Sequence, residues 1–268
     1  MSPIVIERDG HIALVRIDRP EKRNALNPEA FCRLADAWAD FAADDTVRAV
    51  IITGTGDIAF SAGADLGSVM PLYSGTRAPQ DEWDHRVLTD SRLFTRGVLK
   101  GVELDKPIIA AINGLAIGGG CELVLGTDLR VAARHATLGL AEVKRAIMAA
   151  GGGTTRMARQ LPHAIAMEVL LTGDPISADD ALRYGLVNRV VDAADVLDQA
   201  LDFAARIARN GPLAVQAIKR TVRQSDGMPL DKAFGIEARE GHALSSTEDA
   251  IEGPRAFVEK RPPVYRGR

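Results

Sequence analysis

An α/β layered core followed by a helical C-terminal region is the fold this sequence predicts, and three observations carry it. Short apolar runs, Val47–Thr53, Pro107–Ile112 and Leu129–Ala133, alternate with segments of helical periodicity. That alternation is the mark of buried strands joined by helices. After Ala178 the strand signal nearly disappears, and helical periods return in Ala193–Arg209, Pro212–Arg223, Leu230–Leu244 and Glu248–Lys260. Finally, 268 residues, 46% of them hydrophobic, suffice for one large core with an appendage. The expected division is residues 1–195 for the mixed core and 196–268 for the helical region.

Taken in order, Ile4–Glu7 and Ile12–Ile17 flank Asp9-Gly10 and predict a hairpin. Asn27-Pro28 predicts a helix start: asparagine accepts from first-turn N–H groups, and proline pre-sets φ at the first helical position. The apolar face Phe31, Leu34, Ala35, Trp38, Phe41 and Ala42 follows at helical spacing. Val47–Thr53 reads as a buried strand closed by Gly54-Thr55-Gly56. Residues 71–86 hold Pro71, Gly75, Pro79 and charges without period, which predicts an irregular binding loop, then a helix to about Glu103. Ser177 with Asp180 three residues later predicts a capped helix.

Composition excludes several classes. A net charge of −3 and a pI near 6.0 give no basic field, so nucleic acid is not an expected partner. No apolar run reaches the about 18 residues of a membrane span, and the charged start does not read as a signal peptide. Cys32 and Cys121 lie in helical segments far apart, which argues against a disulfide and for a reducing, cytoplasmic setting. The histidines show no metal-ligand spacing, so no metal is expected. The glycine runs fit neither the dinucleotide fingerprint nor the phosphate loop.

Two segments share one design. Phe60-Ser61-Ala62-Gly63-Ala64-Asp65 follows the strand Val47–Thr53, and Gly118-Gly119-Gly120-Cys121-Glu122 follows the strand Pro107–Ile112. Each places small residues where backbone N–H groups can face one pocket. One donor from each would make a two-donor oxyanion hole. Either segment alone also reads as a tight packing turn before a helix. Glu142, in Leu-Gly-Leu-Ala-Glu-Val, is a carboxylate among apolar residues. It reads either as the second of a catalytic pair with Glu122 or as a salt-bridge partner of Lys144, Arg145 or Arg156. Gly151-Gly152-Gly153-Thr154 either closes the pocket floor or caps a helix. Ala59-Phe60-Ser61-Ala62-Gly63 approaches the nucleophile elbow of serine hydrolases but lacks its first glycine, and no histidine has a suggestive setting.

With these motifs in place, the chain resembles the crotonase (enoyl-CoA hydratase/isomerase) superfamily. The likeness runs through Asn24-Ala25-Leu26, Phe60–Asp65, Lys106–Asp128, Glu142 to Arg156, Leu171-Thr172-Gly173 and Gly253–Arg261. The resemblance implies a spiral of ββα units with a helical C-terminal region, assembled as a homotrimer or a dimer of trimers. It implies an acyl-CoA thioester as substrate, with CoA part of that substrate and no separate cofactor. Carried over by position, Ala64 and Gly119 would supply the oxyanion-hole N–H groups, and Glu122 and Glu142 match the two catalytic glutamates of the hydratases. Ala25, Ala62, Asp65 and Leu66 would line the CoA path. Phe257 and Lys260 resemble residues that reach the adenine end of CoA, often from a neighbouring subunit.

The implied reaction is addition of water across the 2,3 double bond of a 2-trans-enoyl-CoA, with Glu122 assigned as base and Glu142 as acid. Rivals are an enoyl-CoA isomerase, a dehydratase of a hydroxyacyl-CoA and a non-catalytic RNA-binding relative. Three departures stand out: Ala141 where the hydratases usually have proline, Lys144–Ala150 where a Gly and a Pro-Gly are usual, and Gly67 where a lysine often meets CoA phosphate. Acyl choice is therefore open, and phosphate binding falls to Lys22, Arg23 or the basic tail.

Overall fold

Each repeating unit of this chain sends its first strand into one sheet and its second strand into another. The computed structural model describes residues 2–268. β1 (Ile4–Asp9) and β2 (Ile12–Ile17) form the expected antiparallel hairpin around Gly10, which turns at φ +54°. α1 (Pro28–Ala43) starts as predicted, with the Asn27 side chain accepting the Ala30 N–H at 2.9 Å.

Three ββα units follow. The first is β3 (Ala49–Gly54), β4 (Ala59–Ser61) and α2 (Leu66–Tyr73), extended by α3 (Glu82–Thr89) and α4 (Arg92–Gly97). The second is β5 (Ile108–Ile112), β6 (Leu115–Ile117) and α5 (Gly119–Leu125). The third is β7 (Leu129–Ala133), β8 (Thr137–Gly139) and, after a 3-10 turn at Glu142–Arg145, α6 (Gly153–Gln160). Then come α7 (His163–Thr172), β9 (Ile176–Ser177), α8 (Ala178–Arg183), β10 (Arg189–Val191), α9 (Val196–Ala208), α10 (Pro212–Ser225), α11 (Leu230–Ser245) and α12 (Glu248–Val258). Ser177 caps α8 as expected, accepting the Asp180 N–H at 3.0 Å.

The main sheet has the order β1-β2-β3-β5-β7-β10 and is parallel from β2 onward. Its central strands are covered on both faces, so β3 and β5 are buried at every residue and read as continuous apolar runs. The second sheet has the order β4-β6-β8-β9, and β4, β6 and β8 are parallel neighbours. α9 packs on β3, β5 and β7, with Val196, Ala200 and Ala204 in the main hydrophobic core. The helices that stand apart from this core therefore begin with α10.

One expectation is overturned. Residues 71–86 are not one irregular loop: α2 continues through Pro71 to Tyr73, and α3 starts at Glu82, where Asp81 accepts the Asp84 N–H at 2.8 Å. The charges there lack a helical period because they pair across a turn, Arg77 Nη2 meeting the buried Asp84 Oδ1 at 3.0 Å. Nor does a helix run on to Glu103. It breaks at Asp90 and ends at Gly97, where a Cβ would lie 3.0 Å from both the ring and the carbonyl of Phe31 in α1.

α5 rests directly on β4. At Gly120 a Cβ would overlap the Ser61 carbonyl oxygen, so only glycine permits that approach. Gly120→Ala is expected to destabilise the protein by about 1–3 kcal/mol, the cost of overpacking a rigid contact. The measurement is a urea unfolding midpoint; an unchanged midpoint would mean that this contact is dispensable.

Candidate active site

The parallel register of β4, β6 and β8 brings three strand ends side by side: Ser61 pairs with Ala116, and Ile117 with Gly139. The segments that leave these ends carry the predicted site. After β4, the Ser61 hydroxyl donates to the Asn24 carbonyl at 2.8 Å and accepts the Gly63 N–H at 3.2 Å. Leu26 N–H donates to the Gly63 carbonyl at 2.7 Å, and Asp65 N–H to the Leu26 carbonyl at 2.8 Å. These ties fix the loop and leave the Ala64 N–H without a protein acceptor among the described residues.

After β6, Gly118 adopts φ +58° and α5 begins. The Gly119 N–H belongs to the first helical turn and has no intrahelical partner. Gly63, at φ +86°, lies flat against this helix start: a Cβ there would be 2.7 Å from the Ile117 oxygen and 2.8 Å from the Gly119 nitrogen. A Cβ on Gly119 would in turn be 3.5 Å from the Ala64 nitrogen. The two unpaired donors therefore sit next to each other.

Glu122 lies one turn into α5 and is buried. Its Oε1 accepts the Gly153 N–H at 3.0 Å, so the glycine run Gly151–Gly153 both floors the pocket and opens α6. Burial raises its pKa, against the backbone donors of Gly153 and Gly151 and the nearby Arg156 charge. Glu142 follows β8 and opens the 3-10 turn. Its Oε2 is buried with no hydrogen-bond partner. Burial first, and the negative charge of Glu122 after it, push its pKa up to about 7, against its own backbone N–H and the nearby Arg145 charge.

The salt-bridge reading of Glu142 is thereby corrected. Lys144 pairs with Asp174, and Arg145 reaches only the Ala141 carbonyl, at 3.4 Å. Arg156 is turned to the end of α4 instead. It donates to the carbonyls of Val98 at 3.1 Å, Leu99 at 2.6 Å and Glu122 at 3.3 Å.

A cavity of about 360 Å³ joins these groups. Ala62, Ala64, Leu66, Gly119, Glu122 and Glu142 line it, and Phe31, Met70, Phe94, Ile147 and Met148 form an apolar wall. In two larger hollows, of about 800 and 990 Å³, most carboxylates are ion-paired, among them Asp36 with Arg86 and Asp128 with Lys219. Of the remaining predicted residues, Ala25 and Asp65 do not line the 360 Å³ cavity. Arg19 joins them, donating to the Ala25 carbonyl at 2.5 Å and to Asp65 Oδ2 at 2.9 Å. Phe257 and Lys260 are also outside this cavity, exposed at the end of α12. Among the described residues no group of three His, Cys, Asp or Glu side chains is placed to hold a metal, and no helix is long and apolar enough to cross a membrane.

A family model described as enoyl-CoA hydratase/isomerase matches residues 7–268. The chain belongs to the enoyl-CoA hydratase/isomerase family. It is 40% identical over 264 residues to an enoyl-CoA hydratase of Mycobacterium tuberculosis, covering 98% of this chain and 96% of that protein. It is also 40% identical over 265 residues to the (E)-benzylidenesuccinyl-CoA hydratase of Thauera aromatica, covering 99% of each. The crystal structure of an enoyl-CoA hydratase from Mycobacterium marinum superposes with a TM-score of 0.88 at 38% identity, over the whole of both chains. The crotonase fold and the hydratase reading expected from the sequence are thus borne out in this family.

Sequence reasoning missed Arg19 as the brace of the Ala25–Asp65 corner. It also took Phe31 for core alone, because helical spacing does not distinguish a core face from a cavity wall. Glu142 supplies a test of the site's electrostatics. Native Glu142 holds its proton to about pH 7, whereas an ordinary glutamate releases it near 4.5, so stability falls as pH rises through that window. Glu142→Gln is expected to raise the unfolding free energy at pH 8 by about 1–3 kcal/mol and to change little at pH 4.5. Thermal melts at the two pH values measure the difference; equal effects at both would remove Glu142 from this account.

Proposed function

We propose that this family member adds water reversibly across the 2,3 double bond of a 2-trans-enoyl-CoA, with CoA as part of the substrate and no separate cofactor. The observation that carries this reading is the adjacency of two unpaired N–H groups, Ala64 and Gly119, to two carboxylates that form no ion pair among the described residues. The thioester oxygen accepts from both N–H groups, which draws electron density from C3 toward an enolate. Each such donor is worth about 10²–10³ in rate. Glu122 takes a proton from water while the water oxygen bonds to C3. The enolate then collapses, and C2 takes a proton from Glu142, so one H and one OH have been added.

The division of roles follows from the hydrogen bonds. Glu122 accepts backbone N–H groups that favour its charged form, as a base requires. Glu142 Oε2 has none, and a carboxyl with a pKa of about 7 retains a proton to donate near neutrality. The CoA path runs by Ala25, Ala62, Asp65 and Leu66, with Arg19 bracing the corner between Ala25 and Asp65. Assembly is a homotrimer or dimer of trimers. The large apolar side chains exposed on α10 and α11, Ile218, Val222, Leu230 and Phe234, support burial between subunits. There Phe257 and Lys260 would reach the adenine end of a neighbour's CoA. Two free, buried cysteines fit a reducing, cytoplasmic setting.

Glu122→Gln and Glu142→Gln are each expected to lower kcat/KM for crotonyl-CoA by about 10² or more, read from loss of the enoyl-thioester absorbance. In the parent enzyme the alkaline limb of the rate profile should fall above about pH 7, where Glu142 loses its proton, and Glu142→Gln should abolish that limb. Near-normal rates in either variant would exclude that residue. Light scattering is expected to give a trimer or hexamer mass, and Phe234→Glu a smaller species; a monomeric parent protein would rule out the assembly.

A further inference from the structure

Arg145 is the only cation among the residues that line the 360 Å³ cavity. It leaves the 3-10 turn that Glu142 opens, so it stands on the proposed acid's side of the cavity. It forms no ion pair among the described residues, and its one hydrogen bond is a long one, Nη1 to the Ala141 carbonyl at 3.4 Å. The neighbouring charge, Lys144, is occupied by Asp174, while Ile147 and Met148 continue the apolar wall. Arginine elsewhere in this protein is paired where it meets a carboxylate: Arg19 with Asp65, Arg77 with Asp84, Arg86 with Asp36.

A saturated hydrocarbon tail gains nothing from a guanidinium, whose planar fork of N–H donors matches a carboxylate. CoA phosphate is not the natural occupant either, because the proposed CoA path passes Ala62 and Leu66 rather than the Glu142 turn. The group that Arg145 faces belongs to the acyl part of the substrate. We propose that Arg145 forms a carboxylate subsite, and that the substrate class is a 2-enoyl-CoA whose acyl group bears a second carboxylate. This rests on the hydratase reading only in taking an enoyl thioester as substrate; Arg145 makes and breaks no bond. The site admits a third carboxylate because the Arg145 guanidinium lines the same cavity and Glu142 holds its proton to about pH 7.

The test separates the subsite from the chemistry by using saturated thioesters, which bind without being hydrated. Titration calorimetry compares three pairs of equal chain length: succinyl- with butyryl-CoA, glutaryl- with pentanoyl-CoA, and adipyl- with hexanoyl-CoA. At least one acid is expected to bind about 10- to 100-fold more tightly than its neutral partner, the worth of a charge-assisted hydrogen bond. Arg145→Gln should bring that ratio close to one. Arg145→Lys should restore part of it, keeping the charge without the fork. Equal affinity in all three pairs, or a preference that survives in Arg145→Gln, would overturn the subsite. Turnover of trans-2-hexenoyl-CoA and of 2,3-didehydroadipyl-CoA is measured beside it. Hydration of both with no binding preference refutes the subsite alone; a binding preference with no hydration refutes the hydratase reading alone.

Discussion

The parallel pairing of β4, β6 and β8 is the constraint on which the site depends. Parallel neighbours end at the same edge of a sheet, so the segments that leave them begin as neighbours too. Ser61 and Ala116 share a rung, as do Ile117 and Gly139. The first unit therefore delivers the Ala64 N–H, the second Gly119 and Glu122, and the third Glu142, all to one place. A register slip of one residue would turn side chains to the opposite face and dissolve the arrangement. Glycine sets how closely the segments meet. Gly63 lies against the start of α5 and Gly120 against Ser61, and a methyl group at either would force the two donors apart.

Burial then sets the chemistry. An isolated carboxylate placed among apolar side chains loses its hydration and holds its proton more tightly. The usual remedy is a cation, and cations are near at hand in Lys144, Arg145 and Arg156. None forms an ion pair with either glutamate: one is taken by Asp174, one reaches a single backbone carbonyl, and one spans the carbonyls of Val98, Leu99 and Glu122. A glutamate neutralised by a close cation would make a poor acid near pH 7. The fold thus leaves Glu142 buried without an ion pair, at a cost in stability above about pH 7.

Much of this was legible in the sequence. Asn27-Pro28 and the apolar strands occupy the positions their local chemistry predicts, because capping and burial are properties of short segments, whereas the local sequence around Glu142 fitted a salt bridge as well as a cavity. The stretch from Pro71 to Gly97 was not legible. Its helices are stabilised by pairs that a periodicity does not record, Arg77 with Asp84 across a turn and Gly97 against Phe31 between helices. The same limit applies at the site. That Ala25 and Asp65 are joined by Arg19, and that Arg156 serves carbonyls rather than Glu142, are facts of long-range packing.

The two parts of the cavity originate in different places. Donors and carboxylates come from the strand ends of the three units, where register, glycine contacts and burial leave little freedom. The wall comes from elsewhere: Phe31 from α1, Met70 from α2, Phe94 from α4, and Arg145, Ile147 and Met148 from the segment after Glu142. That segment is half-exposed, and Met148 is 70% exposed, so its side chains can change without a core to repack. In this chain that wall is apolar but for Thr95 and Arg145, and Arg145 brings its one charge, which is the physical basis of the carboxylate subsite proposed above.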